Sequence, residues 1–182
     1  MALDAERFMG TECGLILRGW AMAQQGDGKE GLALMRESAT ERLAMGVCWY
    51  QPRYLRMLAE SYLQHGSADE GLVAIAEAKE LAARAEEHIW EAELNRIEGE
   101  LRRIQGLPAP QIEALFMAAL EIARDQNAKS FELRAALSLA KLWRDLGRRA
   151  EAREVLAPFY GWFTEGLDTP DLVAAEVLLK DL

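Results

Sequence analysis

The chain of 182 residues carries many side chains with chemical potential, but few that stand together in a catalytic pattern. Glu86 and Glu87, or Glu98 and Glu100, are carboxylate pairs of the type used in acid–base work, yet neighbouring acids on a polar helix face are ordinarily just solvated. Ser38, Ser61 and Ser138 lie within helices, and Cys13 and Cys48 read as small packing residues, so no nucleophile and base are arranged in a known pattern. His65 and His88 are the only histidines, and with the two distant cysteines they offer neither zinc-ligand spacing nor a disulfide. No catalytic residue, cofactor or metal site is expected. The residue types do support recognition: arginines recur beside apolar stripes, and a planar guanidinium grips a carboxylate with two hydrogen bonds.

Those stripes define the elements. Leu55, Leu58, Ala59 and Tyr62 fall at i, i+3, i+4 and i+7 on one helix face, and Gly66 ends that helix in a turn. Leu72, Ile75, Ala78, Ala82 and Ala85 make a second stripe, with the small Gly71 letting the two helices approach. The turn glycine recurs at Gly26, Gly66, Gly106 and Gly147, in steps of 40, 40 and 41 residues, and small residues follow five positions later at Gly31, Gly71 and Ala152. Four equally spaced turns imply a repeat in which each hairpin buries its apolar face only against its neighbours.

The unit resembles a tetratricopeptide (TPR) repeat, whose signature joins Leu-Gly/Ala-x-x-Tyr, a turn glycine and small residues on the second helix. The resemblance implies an all-α fold, a right-handed α-solenoid of four TPR-like helix hairpins in a single domain. The hairpins are expected at about 8–46, 51–87, 90–127 and 130–163, with a C-terminal capping helix over 170–182. Composition agrees, since Ala, Leu, Glu and Arg dominate, Pro is scarce, and 51% of residues are hydrophobic. Pro52 suits the first turn of a helix. Leu107-Pro108-Ala109-Pro110 is expected to lengthen a turn as a tolerated insertion, and Ser130 to cap the next helix. Trp49, Tyr50 and Tyr54 are expected to pack between the first two hairpins. Tyr160, Trp162 and Phe163 are expected to pack the capping helix onto the fourth.

In a TPR register the leading helix of each pair lines a concave groove. Its lining residues are then Trp20 and Gln24; Arg53, Arg56 and Glu60; Glu93, Arg96, Glu100 and Arg103; and Arg134, Lys141, Arg144 and Asp145. Seven cations meet four anions there, in a chain of formal charge −9. A locally basic groove is expected to draw in an acidic peptide or a small carboxylate effector. The competing expectation is that the arginines pair with Glu60, Glu93 and Glu100, each exposed pair contributing only ~0.2–1 kcal/mol.

Several stretches resemble something narrower. Trp90-Glu91-Ala92-Glu93-Leu94 with Gly99-Glu100-Leu101, then Ala119-Leu120-Glu121-Ile122-Ala123-Arg124 and Leu133-Arg134-Ala135-Ala136, are similar to the C-terminal TPR region of large bacterial signalling proteins. So is the stretch from Leu156-Ala157-Pro158 through Tyr160-Gly161-Trp162-Phe163 to Asp168-Thr169. Those proteins join a nucleotide cyclase or a DNA-binding module to a STAND-type ATPase and a TPR tail. The resemblance implies a non-catalytic sensor or scaffold arm for a protein, peptide or effector. The alternative is a stand-alone TPR adaptor that associates with itself.

Phosphate-loop and basic recognition-helix motifs are missing from the sequence. The acidic balance, with a pI near 4.9, repels a phosphate backbone, so no direct nucleic-acid partner is expected. No run approaches the ~18 apolar residues of a membrane span and no leader pattern opens the chain, so a cytoplasmic setting without membrane contact is expected.

Overall fold

The computed structural model describes residues 2–46 and 50–182, with side chains from Cys13 onward. Cys48 and Trp49 lie outside the described residues. All regular structure among the described residues is helical: α1 (Ala2–Gln24), α2 (Gly28–Ala44), α3 (Gln51–Gln64), α4 (Ala68–Ala85), a 3-10 turn (His88–Trp90), α5 (Glu91–Ile104), α6 (Ala109–Asp125), α7 (Lys129–Asp145), α8 (Arg149–Tyr160) and α9 (Pro170–Asp181). They group into two compact units, Met1–Trp90 and Glu91–Leu182.

In the first unit α1 packs on α2 and α3 on α4, and α3 also meets α1 and α2. Ile16, Met35, Leu55, Leu58 and Ile75 form its buried stripes. The α1–α2 contact depends on two facing glycines. A Cβ on Gly19 would stand 2.7 Å from the Gly31 carbonyl oxygen, and one on Gly31 would stand 2.5 Å from that of Gly19. The helices touch backbone to backbone there.

The second unit pairs α5 with α6 and α7 with α8, sets α7 against α5 and α6, and lays α9 on α7 and α8. Phe116 is fully buried, and its ring occupies the space that a Cβ on Gly99 would need. Leu172, Ala175 and Leu178 of α9 join the apolar cluster built from Leu133, Leu137, Ala152 and Leu156.

The turn chemistry explains where the helices stop. Gly66 takes φ +74°, its N–H donates to Leu63 O at 3.2 Å, and the Ser67 N–H reaches back to Tyr62 O at 3.0 Å, which satisfies the last carbonyls of α3. Gly106 and Gly147 end α5 and α7 in the same way, with φ of 77° and 78°. Of the turns that join one hairpin to the next, the one after α2 again uses glycine, Gly46 at φ 75°, while those after α4 and α6 repeat the device with less suitable residues: Glu86 and Asn127 both sit at φ 53°. Asparagine tolerates this left-handed region, and glutamate is the strained member of the pair.

Four local expectations change. Trp162 is 57% exposed, so of its aromatic cluster Tyr160 and Phe163 pack against the core that α9 joins. The turn before α6 is one residue longer than its counterparts, spanning 105–108 against 65–67 and 146–148, but the lengthening stops there, because Pro108 is the N-cap of α6 and Pro110 falls in its first turn, where a missing N–H costs nothing. The N-cap of α7 is Ala128 and not Ser130, because Asn127 completes the left-handed turn and the helix begins two residues earlier. Tyr54 is buried, but Tyr50 is exposed.

Candidate functional site

The leading helices of each unit, α1 with α3 and α5 with α7, present the residues that the sequence register selects. In the first unit their face is sparsely tied. Trp20 is 41% exposed on α1. The Gln24 side-chain amide donates to Gln64 Oε1 at 2.5 Å, linking α1 to α3. Arg56 donates to Glu60 at 3.0 Å within α3, and its guanidinium lies 5.1 Å from the Trp90 ring centre, which adds a cation–π contact. Arg53 projects from the same helix, exposed and without an ion-pair partner among the described residues.

Beneath that face lies a polar knot that the sequence reading missed. Arg42 is 3% exposed, and it donates to Gln51 Oε1 at 3.3 Å and to the Cys13 sulfur at 3.2 Å. Its guanidinium stacks 5.1 Å from the Tyr54 ring centre. Gln51 in turn donates to Ala39 O at 2.8 Å, so one buried cation is held by three elements. Burial, and then the hydrogen bond with Cys13, push the Tyr54 hydroxyl above the ordinary tyrosine range. The available signal was positional, because Arg42 falls one helical turn after Ser38 and Ala39, on the inward side of α2.

The second unit ties its face together. Glu93 is 1% exposed and accepts from Arg96 Nε at 2.7 Å and Nη2 at 3.0 Å, in a bidentate fork. Arg134 of α7 also reaches Glu93, at 2.5 Å, and stands 3.6 Å from Asp171 of α9. Glu100 accepts from Arg103 at 3.1 Å, and Arg103 stands 3.7 Å from Asp145. Arg144 binds Asp145 at 2.9 Å and lies 3.6 Å from Asp181. Lys141 is the one lining cation here without an ion-pair partner among the described residues. The expected basic excess is therefore largely neutralised by Glu60, Glu93, Glu100 and Asp145. Two acids of α9 that the register had not assigned to the face, Asp171 and Asp181, complete the neutralisation.

Nucleophile candidates are tied down as well. Ser38 and Ser138 are buried, and the Ser61 hydroxyl donates to Met57 O at 3.0 Å along its own helix. Among the described residues no group of three or more His, Cys, Asp or Glu could hold a metal ion, and no helix is long and apolar enough to cross a membrane. A surface cleft of about 440 Å³ opens beside the start of α2, between Lys29, Leu32, Tyr62 and Glu70, with His65 held by a 2.8 Å contact from Nδ1 to Ser61 O.

No family model matches the chain, and no curated protein does. Among solved structures, the chain is similar to TPR-like repeats of a kinesin-light-chain-type protein from Podosopora anserina, with a TM-score of 0.68 over 92% of this chain and 83% of that one. The fold is the all-α, TPR-like repeat fold. At 15% identity the likeness is one of backbone architecture. It agrees with the hairpin spacing read from Gly26, Gly66, Gly106 and Gly147.

Proposed function

We propose that this TPR-like chain is a non-catalytic recognition module that holds a protein or peptide segment against its leading-helix faces. The observation that carries the reading is the presence on α1 and α3 of Trp20, 41% exposed, and of Arg53, exposed and without an ion-pair partner among the described residues. A large half-exposed aromatic and a solvent-facing guanidinium on helices are the typical anchors of a binding surface. An apolar residue followed by a carboxylate is the chemistry they complement. Lys141 gives the α5–α7 face a single cation of the same use. Ser38 and Ser138 are buried, the Ser61 hydroxyl is bonded within its helix, and Glu87, Glu98 and Glu100 are bonded to Trp90, Arg102 and Arg103, which supports recognition over turnover.

Within this reading the chain serves as the sensor or scaffold arm of a bacterial signalling or transcription-regulating ATPase. The support is the sequence likeness at Trp90–Leu94, Ala119–Arg124 and Tyr160–Asp168. The test is capture of partners from the source cell by the chain and by a Trp20→Ala/Arg53→Glu variant, with Arg84→Glu on the outer helix α4 as control. The double variant is expected to lose the specifically captured protein more than tenfold, and the control to retain it. Equal capture by all three would remove the α1–α3 face from the proposal.

A further inference from the structure

α9 is apolar on two opposite sides. Leu172, Ala175 and Leu178 are buried against α7 and α8. Val173 and Val177, half a helical turn around from that stripe, are 43% and 61% exposed, and Leu167, two residues before the N-cap Thr169, is 48% exposed. A helix that closes a stack of hairpins needs a polar outer face to remain soluble. Here the outer face centres on Val173 and Val177, with Lys180 and Asp181 exposed only toward its C-terminal end, which marks an interaction surface.

Charge selects the occupant. Residues 161–182 hold Glu165, Asp168, Asp171, Glu176 and Asp181 against the single Lys180. Asp171 and Asp181 stand beside Arg134, Arg144 and Arg149, and Glu176 binds Lys180 at 2.6 Å. Glu165 and Asp168 are left exposed, without an ion-pair partner among the described residues, in the loop that carries Leu167. A second copy would bring the same acids against these, and an anionic lipid surface would be repelled. We propose that the outer face of α9 docks an amphipathic helix of a partner protein, with aliphatic residues over Val173 and Val177 and basic residues toward Glu165 and Asp168.

This surface is independent of Trp20 and Arg53. The test titrates the full chain with two synthetic amphipathic helical peptides that share one leucine face, one flanked by lysines and arginines and the other by glutamates, read by peptide fluorescence anisotropy. The basic peptide is expected to bind at least tenfold more tightly than the acidic one, and to weaken as salt rises. Val177→Glu should abolish that binding, Glu165→Lys/Asp168→Lys should erase the preference between peptides, and Trp20→Ala should change neither. The loop variant leaves the helix untouched, so it decides the matter even where Val177→Glu unfolds α9. Equal affinity for the two peptides, or binding that survives both variants, would overturn the proposal. So would a solution dimer dispersed by Val177→Glu, or capture by anionic vesicles.

Discussion

The two leading-helix faces start from similar residues and use them differently. In α5 and α7 the arginines are cross-links: Arg134 ties α7 to Glu93 of α5 and to Asp171 of α9, and Arg103 reaches from α5 to Asp145 of α7. In α1 and α3 the Arg56–Glu60 ion pair stays within one helix, and a neutral amide pair, Gln24 with Gln64, links the two helices. The first face keeps Trp20 and Arg53 available, and the second has little charge left to offer a ligand. An arginine-rich inner surface is therefore no measure of affinity for acids. What matters is whether a carboxylate of the fold arrives first.

The sharpest way to break this comparison is to remove the carboxylate at the centre of the second face. Glu93 is 1% exposed and Arg96 is 7% exposed, so Glu93→Gln leaves a buried guanidinium without its counter-charge. Breaking a buried pair from one side costs about 3–5 kcal/mol, because the remaining charge is uncompensated. Glu60→Gln on the first face, where the partners are more exposed, should cost under ~1 kcal/mol. Urea unfolding of both variants reads the difference. Equal losses would mean that the cross-link description of α5 and α7 is wrong.

A smaller effect separates the way the two units pack. Gly31 faces the backbone carbonyl of Gly19, which cannot move without shifting α1, whereas Gly99 faces the Phe116 ring, which can tilt. Both sit in helices, where alanine is favoured over glycine by about 0.8–1 kcal/mol. Gly31→Ala is expected to destabilise by about 1–3 kcal/mol, as overpacking does. Gly99→Ala should lose less, since the propensity gain offsets part of the ring's displacement. If Gly99→Ala proved the costlier change, the α5–α6 contact would be the tighter one.

Much of this architecture was legible because it rests on local rules. Glycine at the end of a leading helix, a small residue five positions on, and Pro52 in a first turn are each dictated by backbone sterics within a few residues. Glu86 and Asn127 escaped notice because the same left-handed turn is there made by residues that do not announce it. The candidate face was legible only as a roster. Register placed Arg96, Arg103, Arg134 and Arg144 on the right helices, and the local pairing of Arg96 with Glu93 and of Arg103 with Glu100 was one of the two expectations. The cross-links of Arg103 and Arg134 between α5 and α7, and the reach of Arg134 and Arg144 to α9, depend on partners distant in sequence. The neutralising acids Asp171 and Asp181 lie in a helix that the repeat pattern does not index. Trp20 and Arg53 stand out only once those others are accounted for.

The subtlest difference between the units is one of titration. In the first unit the charged group beneath the face, Arg42, has Cys13, Gln51 and Tyr54 among its neighbours. Burial and the Cys13 hydrogen bond hold Tyr54 in its neutral form beyond the ordinary value of 10.0. As pH rises past that value the unfolded chain releases the tyrosine proton first, so the folded state then binds more protons and stability must fall. The contribution is intact below the unfolded value and is lost as pH climbs through the raised folded one. Arginine keeps its charge throughout this range, so the guanidinium forks of α5 and α7 do not share the decline. Chemical unfolding of the wild type and of Tyr54→Phe, followed above pH 9, should give a shallower loss of stability in the variant, whatever its starting stability. If the two slopes coincide, Tyr54 titrates alike folded and unfolded, and the buried knot beneath α1 and α3 is more open to water than its geometry says.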